Sequence, residues 1–495
     1  MKYFSTEHKM LAVILFCSLA ASLFAACTLP AGNTPATTSA ATTSAATTSS
    51  ESSVAETIST IEISIDYDEE DAEIISLNGD SASSDSDSVA IDGSVITIKS
   101  KGTYKISGTL NDGYIVVDAG DSDDVTLVFD GASITSSDYA ALYCLNADNV
   151  YIILEDGTEN LLANKGSFDS KDDNSVDGAI FAKTDITING TGSLKVESED
   201  HGIVGKDDVA IAGGTIEINA ASDGIQANDS VVIQEAVINI YCGKDGIQSD
   251  NEDQAKGYVY ISSGEITIEA GDDGITASSS LQIDGGIVDI VDSYEGLEGQ
   301  NIVLNGGTIT VSSSDDAINA VSASSSGEMF GDDGSTLVIN GGEIYLMTGG
   351  DGVDSNGTFD MTGGYLVVMG PEIGANGSLD VNGSATITGG TVIMAGASGM
   401  ATNFTSATQG TVLLTVGNQT EGSEIKVTDS SGNVILSADS VSSYQTILVS
   451  SPDMTKGSSY TITAGNYEET ITLEEYIYGS GMEFGGPGGG GGPGF

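Results

Sequence analysis

One short phrase recurs along this chain. It is Asp-Gly-Ile, a turn, a hydrophobic triplet, a corner and a second hydrophobic triplet. The glycine of the phrase falls at Gly202, Gly224, Gly246, Gly274 and Gly296, with a looser copy at Gly178. Ala317 and then Gly352 continue the series. A spacing of about 22 residues, built only from strand-like pieces, specifies a solenoid. One rung reads as residues 223–227, 231–233 and 236–240, with Ile225, Val231, Ile233, Ile238 and Ile240 alternating at period two. No 3.6-residue period runs over ten residues outside the N-terminal segment. Three short strands per ~22 residues predict an all-β parallel β-helix whose rungs stack at about 4.8 Å. Gly-Gly pairs at 285–286, 306–307, 341–342, 363–364 and 389–390 are expected to form its corners. A leucine-rich repeat is excluded, because its Asn/Leu pattern is missing.

Charge narrows the partners. The chain carries 73 acidic residues against 14 basic ones, for a net charge of −59. All the basic residues are Lys, and Arg and Trp are absent. Nucleic acid is excluded as a partner, since phosphate recognition needs clustered cations. A hydrophobic content of 39% suits a long narrow core and argues against an unfolded acidic chain.

The repeats have distinct flanks. Residues 1–26 read as an export signal, with Lys2 and Lys9 before an apolar run. Leu23-Phe24-Ala25-Ala26-Cys27 is similar to a bacterial lipobox, which implies lipidation of Cys27; an ordinary cleaved signal is the alternative. Residues 27–57 hold that anchor and an Ala/Thr/Ser-rich linker reaching roughly 90 Å when extended. Residues 58–163 read as an N-terminal cap and first rungs, 164–399 as regular rungs, and 400–478 as a small antiparallel β cap over the open end. Residues 479–495 form a Gly/Pro-rich tail. The expected setting is the outer face of a bacterial membrane, of the Gram-positive kind, with the protein a monomer. Cys144 and Cys242 fall about four rungs apart, so two free, buried thiols are expected.

The repeat also locates a candidate ligand face. Long inserts at 164–176, 249–253 and 322–334 all flank the Asp-Gly-Ile strand, and insertions tend to rise from the binding face. If Ile203, Ile225, Ile247 and Ile275 point inward, then Gln226, Gln248, Thr276, Glu298, Asn319 and Asp354 point out. The turn before them carries Asp223, Asp245, Asp272, Asp273, Glu295, Asp315, Asp316 and Asp351. Like charges stacked one rung apart need compensation, by water and counter-ions or by bound Ca²⁺, which takes six to eight oxygens. The candidate metal ligands are Asp223, Asp245, Asp250, Asp253, Asp272, Asp273, Glu295, Asp315 and Asp316. The competing explanation is ordinary Asp-Gly turn chemistry. Residues 169–174 form a second, weaker acidic loop. The candidate sugar contacts are Gln226, Gln248, Tyr258, Tyr294 and Asn319.

Catalysis has less support. A polygalacturonase would need paired aspartates and basic clamps; His201-Gly202 matches two letters of that pattern, but its Arg-Ile-Lys partner cannot exist here. A lyase needs a base, which leaves Lys183, Lys206 and Lys244 beside the stack, with Lys206 and Lys244 the leading candidates. Each is expected instead to be ion-paired with a neighbouring Asp, which makes it a poor base.

Five segments taken in order resemble a known family: residues 75–80, 102–110, 125–134, 185–192 and 201–209. It is the pectate-lyase-like β-helix family of carbohydrate-binding surface proteins from clostridia and their relatives. The resemblance covers roughly residues 70–475. It implies a right-handed helix, Ca²⁺ held by acidic residues, and binding to plant polysaccharides such as cellulose or polygalacturonate without clear lyase activity. The leading expectation is therefore a cell-surface, Ca²⁺-dependent polysaccharide-binding protein. A Lys-dependent pectic lyase and an adhesin or wall stalk are the alternatives.

Overall fold

The computed structural model describes Tyr67, residues 71–322 and residues 331–479. The export signal, Cys27, the linker, most of the 322–334 insert and all but the first residue of the tail lie outside the described residues. Every described residue belongs to one compact unit, Ser52–Phe495. Its regular elements are all strands, in one large mixed sheet and a separate four-stranded antiparallel sheet.

The pairing follows the repeat. Ile225–Ala227 pairs in parallel with His201–Gly205 on one side and Ile247–Ser249 on the other. Ser230–Ile233 lies between Asp208–Ile211 and Tyr258–Ile261, and Val237–Cys242 between Thr215–Ala220 and Glu265–Glu269. Each strand thus pairs with the strand one repeat away, giving three parallel stacks. Inward positions match across rungs, so Ile203, Ile225, Ile247, Ile275, Leu297 and Ile318 form one fully buried column. One continuous apolar core runs from Ile75 to Leu448, beside smaller clusters.

The corner glycines divide two tasks. The second of each pair, Gly286, Gly307, Gly342, Gly364 and Gly390, has φ between +84° and +89°, where a side chain is strained. The first has no such φ but lies against the previous rung: a Cβ on Gly341 would sit 2.4 Å from the Asn305 carbonyl oxygen. At the corner before Val237 a non-glycine, Glu235, takes φ +49°. The glycine of the Asp-Gly-Ile phrase serves close approach too. A Cβ on Gly246 would meet Gly274 O at 2.5 Å and the Ile268 side chain.

The C-terminal strands close the last rung. Tyr444–Ser451 pairs antiparallel with Thr391–Gly396 and with Gly410–Gln419, so the free edge of the third stack is occupied. This region does more than cover an end. A second core joins its Val412, Ile425, Ile447 and Ile462 to Val367, Met369, Ile393 and Ala395, residues of the last two strands of the third stack. One cysteine expectation needs correcting. Cys144 is buried, but Cys242 is half-buried at the end of its strand, with Sγ 3.2 Å from Lys244 O. Both thiols are free, and burial pushes each up to about 12.

Candidate functional site

Two columns define the face of the first stack. The turn column, one residue before the phrase glycine, holds Asp177, His201, Asp223, Asp245, Asp273, Glu295, Asp316 and Asp351. The face column points outward; from Val204 on it lies two residues after the phrase position, and Phe181 lies three after the looser Gly178. In register it runs Val116, Tyr143, Phe181, Val204, Gln226, Gln248, Thr276, Glu298, Asn319, Asp354 and Asp380.

The turn column owes part of its composition to the backbone. Asp223 Oδ1 accepts the amide of Asp245 at 3.2 Å, Asp245 Oδ1 that of Asp273 at 3.1 Å, and Asp273 Oδ1 that of Glu295 at 3.1 Å. Asp316 Oδ1 accepts the amide of Asp351 at 2.5 Å, and Asp351 Oδ1 accepts that of Gly377. Each of these five aspartates therefore caps the same position one rung on, which is the structural role that turn chemistry anticipates.

That role uses one oxygen of each acid, and the second oxygens distinguish the two halves. Asp223 Oδ2 lies 3.0 Å from His201 Nδ1, and Asp245 Oδ2 accepts from Gln248 Nε2 at 2.8 Å. Further along, the acids meet one another. Three groups bring carboxylate oxygens within 4.8 Å: Asp245–Asp272–Asp273, Asp273–Glu295–Glu298 and Asp316–Asp351–Asp354. Burial raises these carboxyls, and neighbouring carboxylates add to it. Asp245 and Asp316 are pushed up to about 6, Asp273, Glu295 and Asp351 to about 7, and Asp354 to about 8. Asn319 donates through Nδ2 to Glu295 Oε2 at 2.8 Å, leaving its buried Oδ1 without a partner.

The residues chosen from the sequence separate accordingly. Asp245, Asp272, Asp273, Glu295 and Asp316 fall within these groups. Asp223 is buried and engaged by His201. Asp315 stands beside the column and pairs with the exposed Tyr294 hydroxyl. Asp250 and Asp253 are exposed on the insert, where Asp253 caps the amide of Ala255, and neither joins a group. Gln226, Gln248 and Asn319 lie in the face column, whereas Tyr258 belongs to the second stack. Asp351, from the turn column, and Asp354, from the outward pattern, complete the C-terminal group; neither is among the nine acids named as candidate metal ligands. A fourth group, Asp185–Asp207–Asp208, on the second stack, went unread, since no repeat marks it.

The expected ion pairs of the two lysines are not formed. Lys206 lies over the Phe181 ring, 5.3 Å from its centroid, and acts on Asp177 at longer range. Lys244 is exposed and acts on Asp245 in the same way. For His201, burial pulls the pKa down, but Asp223, Asp177 and Asp200 more than offset it and raise it above its usual value.

The N-terminal end of the face column is covered. Tyr114 and Tyr139 pack tilted at 5.2 Å between centroids, and Tyr139–Tyr143 and Tyr143–Phe181 pack edge to face at 5.6 and 5.9 Å, with Phe168 and Val176 of the 164–176 insert against them. Lys171 Nζ stands 4.8 Å from the Tyr114 centroid and 5.1 Å from that of Tyr139. The Tyr143 hydroxyl donates to Asp172 at 2.7 Å and accepts from Asn174 at 2.7 Å.

Residues 92–329 match a family described as "Carbohydrate-binding domain-containing protein". A protein of the same description from Acetivibrio thermocellus is 37% identical over 131 residues, which are 26% of this chain and 46% of that relative. The match thus spans less than half of the relative's length. A solved structure, of a polysaccharide lyase-like protein from C. thermocellum, aligns at 28% identity with a TM-score of 0.41, covering 59% of this chain and 96% of the other.

Proposed function

We propose that this chain is a carbohydrate-binding protein that holds a linear, acidic plant polysaccharide of the polygalacturonate class along the first stack, through Ca²⁺. The observation that carries this reading is the run of half-buried carboxylates from Asp273 to Asp354, several with an oxygen left free by the capping ladder. The match of residues 92–329 to a carbohydrate-binding description supports the ligand class. The proposed architecture is a right-handed parallel β-helix, for which the pairing of each strand with the next repeat is the support.

The donor set suits the ion. Asp316, Asp351 and Asp354 offer only oxygen, and Asn319 adds a neutral amide oxygen that lacks a partner. Hard, oxygen-only donors suit Ca²⁺, which would supply positive charge between protein and uronate carboxylates. The chain's own residues do the rest. The ladder holds Asp273, Asp316 and Asp351 each at the height of its rung, and burial keeps the acids from being fully hydrated. The outward amides of Gln226 and Gln248 offer hydrogen bonds to sugar hydroxyls. A chain of net charge −59 repels a polyuronate unless such a cation intervenes.

The protein is further proposed to be exported, anchored through Cys27 and monomeric. Cys27→Ala is expected to release it from the membrane fraction. The ligand reading is tested by retention on polygalacturonate in Ca²⁺ and in chelator, with ultraviolet absorbance followed throughout. Retention lost in chelator without new absorbance is the expected result. Rising absorbance would instead make the protein a lyase and bring Lys206 and Lys244 forward. No retention on polygalacturonate or cellulose would leave a surface stalk.

A further inference from the structure

The cations of the solenoid are confined to its N-terminal part. His201, Lys206, Lys244 and Lys256 lie beside the first rungs of the stripe, and no Lys, Arg or His occurs between Lys256 and Lys426. The hydrogen bonds change at the same place. At the two glutamine rungs the turn carboxylates, Asp223 and Asp245, have both oxygens engaged. Asp223 gives one oxygen to the Asp245 amide and the other to His201; Asp245 gives one to the Asp273 amide and the other to Gln248. Asp229, behind them, is bound by Asn251 of the insert and by Lys256 just after it. Gln226 Nε2 donates to Gln248 Oε1 at 3.0 Å, which fixes the two amides as a stack. The face column itself is neutral here: it offers the Gln226 carbonyl and one remaining N–H on each glutamine. After Thr276 the face column itself turns to Glu298, Asn319, Asp354 and Asp380, and the carboxylate groups that begin in the turn at Asp272 and Asp273 gain face-column members, Glu298 and Asp354.

From this division we infer that the stripe holds two subsites of different chemistry, meeting at Thr276. The amide subsite, Gln226 and Gln248, takes uncharged, hydroxyl-bearing sugar units without a cation. The acid subsite, from Glu298 to Asp380, takes uronate units and requires a divalent cation. The inference rests on the proposed function for its ligand class and adds the division and its residues. One rung advances by about 4.8 Å, close to the rise of one sugar in an extended chain, so successive units of a chain laid along the axis meet successive rungs. Amides serve the neutral units because a sugar hydroxyl both donates and accepts, and Gln does the same at no charge. The matching ligand is a polyuronate with neutral, esterified stretches beside free-acid ones.

The test uses the full chain and two probes, polygalacturonate and its fully methyl-esterified form, each in Ca²⁺ and in chelator. The wild type is expected to bind the esterified polymer equally in both media and the free acid only in Ca²⁺. Gln226→Ala with Gln248→Ala is expected to lower affinity for the esterified polymer by about fivefold or more, and by several times less for the free acid in Ca²⁺. Asp354→Asn is expected to show the opposite ratio. Unfolding midpoints confirm that each variant folds. Variants that lower both affinities by the same factor would overturn the division. A wild type that binds the free acid in Ca²⁺ but never the esterified polymer would overturn it while leaving the Ca²⁺ reading intact. Binding of neither polymer would overturn both.

Discussion

Phe181 and Asp354 occupy the same outward position on the same stack, yet one is fully buried among aromatic rings and the other stands among carboxylates. Their inward neighbours are alike: Ile180 and Val353 are both fully buried. The difference lies outside the strands. Around Phe181 the 164–176 insert packs Phe168 and Val176 and sets the Lys171 ammonium over the neighbouring Tyr114 and Tyr139 rings, whereas no Lys, Arg or His lies between Lys256 and Lys426, the stretch that holds Asp354. A stacked β face thus tolerates either chemistry, and what covers it and which charges stand beside it decide which one persists. The two ends should respond differently to the same kinds of change.

The largest effect is expected at the covered end. Phe181→Ala removes a buried ring from a packed cluster and should cost about 3–5 kcal/mol, read as a lower urea midpoint with Ca²⁺ or chelator alike. At the open end Asp354→Asn should do the reverse in chelator, stabilising the protein by about 1 kcal/mol at pH 8. The sign follows from burial. With its carboxyl raised from 3.8 to about 8, wild-type Asp354 favours the folded state while protonated in it, and that stability is lost as pH rises from about 4 to about 8. Wild-type stability in chelator should therefore fall across that window, with the His201–Asp223 pair adding to the fall above the ordinary His range. Added Ca²⁺ should restore stability more at pH 8 than at pH 5, and less in Asp354→Asn. A stability in chelator that stays flat from pH 4 to 8 would contradict the crowding of these acids.

Tyr143→Phe should cost about 1 kcal/mol by removing the hydroxyl that joins Asp172 and Asn174. Amide exchange should rise in residues 170–176, which make no backbone hydrogen bonds to the rungs, and stay unchanged near Asp354. The smallest effect is expected from Asp253→Asn, within about 0.5 kcal/mol and with no change in Ca²⁺ response, since that side chain caps only its own loop.

Much of the scaffold was legible in the chain itself. The spacing of the Asp-Gly-Ile phrase located the strands, the inward isoleucines and the outward stripe, because period-two alternation and backbone stacking leave one register that buries the apolar set. The corner glycines could be read because only glycine accepts φ near +85° without strain. The site was legible as columns but not as groups. Asp250 and Asp253 looked like ligands by composition, and Asp354 did not stand out among its polar neighbours. Which oxygens are already used by the amide of the next rung depends on side-chain rotamers, which no spacing encodes.

Repeat length, glycine placement and the confinement of every solenoid cation to residues before 257 are properties of the sequence alone, since they concern order along the chain. Only the tertiary structure decided that Asp223 and Asp245 are saturated, that Asp316, Asp351 and Asp354 converge, and that the 164–176 insert folds back over the aromatic rings. The physical reason is distance. Hydrogen bonds and charge repulsion act over a few ångströms, and here the groups that share those ångströms lie some twenty to forty residues apart in the chain.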